Sequence, residues 1–183
     1  MANKIYTQPA TEPVTLAEVK EYLRLDGNDH DTLLTSLIAS CRQWCEQFQN
    51  RAYITQTWET YLDEWSFPIR LARPPLQSVT HIKYSTSAGV LTTWASTEYQ
   101  VDAITEPARI SLAYNKTQPS DVLQPINAIQ VRYVTGYGSA SDVPASVKLA
   151  LKMMIAFRFE NPESDSVPDA VRYLLMADRV VPV

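Results

Sequence analysis

Hydrophobic residues repeat along this chain with two different periods. Between Asp31 and Phe48 they fall at Leu33, Leu34, Leu37, Ile38, Cys41, Trp44, Cys45 and Phe48. Steps of three and four place them on one stripe of a helix of about five turns. Arg42, Gln43, Glu46, Gln47 and Gln49 fall on the opposite side. So wide a stripe needs at least two partner helices, and candidates occur only towards the two ends. Before it, Thr15 and Glu18 have the spacing of a capping box, in which hydroxyl and carboxylate each satisfy an orphan amide. Leu16, Val19, Tyr22 and Leu23 then predict a short amphipathic helix that stops near Asp26-Gly27, with Asp29 or Asp31 available to cap the next helix. After it, Pro144 opens a helix whose apolar positions, from Val147 to Phe159, lie nearly all round, so it should be the central one. Pro168 starts a last helix, DAVRYLLMADR.

From Tyr53 to Tyr137 the period shortens. TWETYLDEW, FPIRLARPPLQSV, VTHIKYS, VLTTW, the stretch Glu98–Asp102, ARISLAY and NAIQVRYVTGY predict about seven strands. Prolines 68, 74, 75, 107, 119 and 125 sit between them, where a missing amide donor does least harm. Residues 1–13, with Pro9 and Pro13 and no period, predict an extended arm. The expected architecture is α+β: an antiparallel helical bundle, made of the N-terminal helix pair and the C-terminal helices, with a small antiparallel β region inserted. The corresponding divisions are 1–52 for the arm and helix pair, 53–138 for the β insert, and 139–183 for the closing helices and a tail.

Composition narrows the functions. At 183 residues, 45% hydrophobic and 20% charged, the chain can bury a core without staples. A formal charge of −4 argues against a protein dedicated to gripping phosphates. The scattered basic residues form no stripe; Arg70 and Arg73 beside Trp65 and Phe67 are the best local cluster. No apolar run approaches the ~20 residues of a membrane span, and the N-terminus lacks a signal-peptide core, which points to folding in the cytoplasm. Cys41 and Cys45 lie one turn apart on the helical stripe, where they pack as small hydrophobes. His30 and His81, the two histidines, have no companions at ligand spacing, so no metal or cofactor is expected. The histidines leave little room for a histidine-based triad, and four glycines cannot build a phosphate cradle, so the chain does not read as an enzyme. Ten tyrosines and four tryptophans would suit a protein interface or, as a different class, a carbohydrate-binding β module.

A set of short motifs follows one order along the chain, from PVTLAEVK and Tyr22-Leu23-Arg24 through Asp31-Thr32-Leu33-Leu34, Asn50-Arg51-Ala52 and Thr55-Gln56-Thr57-Trp58. It continues with Arg73-Pro74-Pro75-Leu76, Tyr99-Gln100-Val101-Asp102, Val134-Thr135-Gly136-Tyr137, Val143-Pro144 and Ala170–Leu175. This ordered set resembles the head–tail connector (adaptor, head-completion) proteins of long-tailed bacteriophages and prophages. The resemblance implies a structural virion protein, made in the host cytoplasm, that forms a ring between portal and tail, extends the DNA conduit and helps retain the genome. Another neck or tail-completion protein is the neighbouring alternative. The implied partners are the portal, a tail or stopper protein, further copies of the chain, and passing DNA in transient contact; no membrane and no cofactor are implied. It also implies a portal-docking tail, Asp178, Arg179, Val180, Val181, Pro182 and Val183, for which folding back onto the bundle is the competing reading. Trp65, Arg70 and Arg73 are the candidate interface residues. The polar loops Ser85–Gly89 and Ser139–Asp142 would meet neighbours round the ring or the tail.

Overall fold

A computed structural model describes residues 1–181. The chain forms two compact units, one made of Met1–Pro9 with Thr55–Gly136, the other of Ala10–Ile54 with the chain from Tyr137 onward.

The second unit is helical. Helix α1 (Leu16–Leu23) opens on the capping box, Glu18 N donating to Thr15 Oγ1 at 3.2 Å and Thr15 N to Glu18 Oε2 at 2.6 Å. It ends at Arg24, whose left-handed φ of 55° breaks the helix three residues before Gly27. Helix α2 (Asp31–Gln49) is capped by neither Asp29 nor Asp31: its N-cap is His30, without a side-chain cap, and Asp31 pairs with Lys20 at 2.7 Å. Helix α3 (Ala145–Glu160) follows a short 3-10 turn, Ala140–Asp142, and packs against α1, α2 and α4 (Asp169–Met176); α2 likewise touches all three other helices, so the two share the centre. Leu34, Ile38, Cys41, Cys45, Val147, Ala150, Leu151, Met154, Ile155, Val171 and Leu175 fill the core.

The first unit is all strand. A five-stranded antiparallel sheet has the order β1-β2-β8-β4-β5, from Ala2–Thr7, Gln56–Leu62, Ile129–Thr135, Leu76–Ser85 and Leu91–Trp94. A three-stranded antiparallel sheet has the order β3-β7-β6, from Ile69–Arg70, Arg109–Leu112 and Tyr99–Asp102. Ile129, Val131 and Tyr133 alternate inward along β8 to meet Leu62, Ile69, Ile82, Trp94, Tyr99 and Ile110 from both sheets. Alternation along β8 leaves Gln130 and Arg132 on the other face.

A helical bundle carrying a small β insert is therefore the wrong description. Helix and strand take similar shares, and the described residues form eight strands in two antiparallel sheets beside four α-helices. Two physical causes explain the difference. The aperiodic arm contains a strand, β1, fixed by pairing with β2 from Ala2↔Tyr61 to Thr7↔Thr57 rather than by any pattern of its own. The strand segments also own an aromatic core, so they do not depend on the helices for burial. The polar side expected of α2 is corrected too: Arg42, Glu46 and Gln49 are buried, whereas Leu33 is 50% exposed.

Candidate interaction surfaces

In the helical unit, the buried polar face of α2 is a built feature. Arg42 Nε donates to Glu12 Oε2 at 2.7 Å and its Nη1 to Glu46 Oε2 at 2.8 Å. Glu46 Oε1 accepts from Tyr53 N at 2.8 Å, and Gln49 joins the Tyr53 hydroxyl to the Leu175 carbonyl. Every charge in this group has an opposite partner, the condition under which burial of ions is tolerated. Burial pushes the Tyr53 hydroxyl and the Cys45 thiol well above their ordinary values and the Cys41 thiol to about 11, so both thiols stay protonated and inert.

The candidate tail leaves α4 and lies against the end of α2. Val180 N donates to the Gln49 carbonyl at 2.9 Å, and Asn50 Nδ2 to the Val180 carbonyl at 2.8 Å. Arg51 Nε donates to the Asp178 carbonyl. Arg179 Nε donates to the Phe48 carbonyl at 2.9 Å, with its guanidinium 4.9 Å from the Phe48 ring centroid. Two of these bonds, to the Gln49 and Phe48 carbonyls, use orphan acceptors of the α2 C-terminus. Val181 remains 71% exposed, and Tyr173 and Met176 on α4 are exposed as well. Pro182 and Val183 lie outside the described residues.

In the strand unit, Trp65 packs in the aromatic core. Its ring centroid is 4.9 Å from Trp94, 5.8 Å from Tyr84 and 5.9 Å from Phe67, in a mixture of stacked, tilted and edge geometries. Arg70 is exposed on β3 opposite Arg109. Arg73, with a left-handed φ of 63°, lays its guanidinium 5.3 Å from the Trp58 ring centroid. The three residues thus meet three different environments. Trp44, Trp58, Trp65 and Trp94 are all buried or half-buried, whereas Tyr6 and Tyr114 of the strand unit are exposed.

A charged network lies on the outer face of the five-stranded sheet. Strand register aligns Lys4, Glu59, Arg132 and His81 in one row across β1, β2, β8 and β4. Glu59, 3% exposed, accepts from Arg132 at 2.8 and 2.6 Å, from Gln130 at 2.7 Å and from the Tyr61 hydroxyl at 2.6 Å. Burial alone would raise its carboxyl pKa, but the bonds from Tyr61, Arg132 and Gln130 outweigh it and hold the group below its usual range. Arg132 also stacks under Tyr6, 3.7 Å from the ring centroid. Beside it, burial and the cations Lys83 and Arg132 lower the pKa of His81. The only clue in the sequence was a charged residue at mid-strand in both β2 and β8.

Among the described residues there is no group of three or more potential metal ligands, and no helix is long and apolar enough to cross a membrane. The head completion protein family matches residues 12–167. This chain belongs to that family. No curated protein matches the chain, but solved structures share the fold over its whole length. A chain from the neck of an empty gene transfer agent (GTA) particle, computed with C6 symmetry, superposes with a TM-score of 0.84 at 21% identity, covering 100% of this chain and 97% of that one. A chain from the neck of the native GTA particle, computed with C12 symmetry, gives 0.82, and one from the native GTA virion gives 0.81, with the same identity and coverage. Members of the head completion family are structural virion proteins, and no catalytic function is indicated for them.

Proposed function

We propose that this chain is a structural neck protein, assembled as a ring between portal and tail, where it extends the DNA conduit and helps to hold the packaged genome. The observation that carries this reading is family membership over residues 12–167, with the fold of GTA neck proteins extending over the full chain. The symmetry of those necks supports a ring of identical copies. Its work is mechanical: it offers docking surfaces and a passage for DNA, and it catalyses nothing. The surface at Tyr173, Met176 and Val181, with the tail from Asp178 onward, docks the portal. Among Trp65, Arg70 and Arg73, the exposed Arg70 is the residue available for polar contact with a tail or stopper protein. The test is co-sedimentation of purified protein with DNA-filled, tail-less capsids that lack it. Saturable binding at one vertex, lost in Val181→Asp but retained in a fold-neutral surface variant, is the expected result. Failure of the folded wild-type protein to bind would reject the neck assignment. Wild-type levels of binding by Val181→Asp would reject the docking surface alone.

A further inference from the structure

A ring of identical copies needs two different patches on one chain that complement each other. Charge is divided unequally between the two units. The strand unit has seven basic and seven acidic residues and is neutral, whereas the helical unit has nine basic and thirteen acidic residues and carries the whole −4. On the outer face of the five-stranded sheet, Arg132 neutralises Glu59, which leaves Lys4 and Lys83 as surplus positive charge. Neither lysine is in an ion pair within the described residues. His81 Nε2, on the same face beside Lys83 and Arg132, is buried without a hydrogen-bond partner among the described residues, so the face has an unused polar group as well as unused charge. The helical unit has the opposite surplus at one end. His30 meets Phe159 edge-on at 5.2 Å, which brings the α1–α2 loop to the end of α3. Asp26, Asp29, Glu160, Glu163 and Asp165 are exposed in these two segments and make no ion pair within the described residues. Arg24 and Arg158, the latter in the last turn of α3, offset two of them and leave a surplus of three.

We propose that, in the assembled ring, the outer sheet face of one copy receives the acidic end of the helical unit of the next copy. The proposal rests on the ring reading above and names its contact. Such pairing sets direction as well as attraction, because two sheet faces or two acidic ends repel when they meet. The contact weakens with salt, since the screening length falls from about 8 Å at physiological ionic strength to about 3 Å at 1 M.

A charge exchange tests this. Lys4→Glu with Lys83→Glu, and separately Glu160→Lys with Glu163→Lys, change side chains that lie at the surface, and circular dichroism verifies folding. Ring formation is read by light scattering and electron microscopy, in concentrated solution and on neck-less capsids. Each double variant alone should lose self-association about tenfold or more, the four-fold variant should recover it, and wild-type rings should dissolve in high salt. Wild-type rings that persist in either double variant would overturn the contact and leave the ring reading standing. Wild-type protein that forms no ring in either setting would remove both. If the lysine variant assembles normally but loses affinity for duplex DNA, the face is a nucleic-acid surface and the proposal is wrong.

Discussion

The two units solve the problem of burial in different ways. The helical unit packs mostly aliphatic and small side chains, with Tyr53 as the fully buried ring of its core. The strand unit fills its interior with large rings: Trp65, Phe67, Tyr84, Trp94, Tyr99 and Tyr133. The gap between facing sheets is about 10 Å, against 8–10 Å between helix axes whose side chains interdigitate, so sheets need longer side chains to close it. Each unit also buries a carboxylate beside an arginine, Glu46 with Arg42 and Glu59 with Arg132. In the helical unit a second carboxylate, Glu12, backs the pair; in the strand unit the additional partners are neutral. Redundancy is therefore built into one unit and absent from the other.

The largest expected effect comes from the aromatic core. Trp94→Ala should cost about 3–5 kcal/mol and abolish most of the near-ultraviolet dichroism. If the units unfold separately, the far-ultraviolet helical signal survives; simultaneous loss of both signals would mean one cooperative fold. Leu151→Ala makes the converse test, costing about 2–5 kcal/mol with the helical signal lost first.

Next come the buried carboxylates. Glu59→Gln leaves Arg132 without an anion and should cost roughly 1–3 kcal/mol. Glu46→Gln should cost less, because Glu12 still holds Arg42. Denaturant midpoints that rank the pair in reverse order would break the redundancy argument. Smaller again is Thr15→Ala, which removes the α1 cap at about 1 kcal/mol and should touch only the helical unit.

The smallest effect is one of pH. His81 has its pKa lowered from an ordinary 6.5 by burial and then by Lys83 and Arg132. The native state therefore binds fewer protons than the unfolded chain. Its contribution is complete above the unfolded value and is lost as pH falls through the folded one. Glu59 behaves the same way from an ordinary 4.5, where Tyr61, Arg132 and Gln130 prevail over burial. Thermal melts taken from about pH 8 downward should show strand-unit stability declining in two steps. His81→Gln should erase the upper step and spare the lower.

What the sequence determined by itself was local. Period and capping chemistry placed the start of α1 at the Thr15–Glu18 box, the core stripe of α2, the apolar α3 and the strand segments from Trp58 to Tyr133. The ordered motifs also carried the family, because they are short-range patterns of residue type. Tertiary structure alone decided the rest. Ala2–Thr7 becomes a strand only because β2 offers an edge, and the strands become an equal partner only once two sheets close on one core. Arg42 and Glu46 can be buried only because Glu12 and the Tyr53 amide, distant in sequence, arrive to satisfy them. The row Lys4, Glu59, Arg132 and His81 joins four strands from positions up to 128 residues apart, from Lys4 to Arg132. No periodicity encodes such a row, since register is set by which edges meet and not by any one strand's pattern.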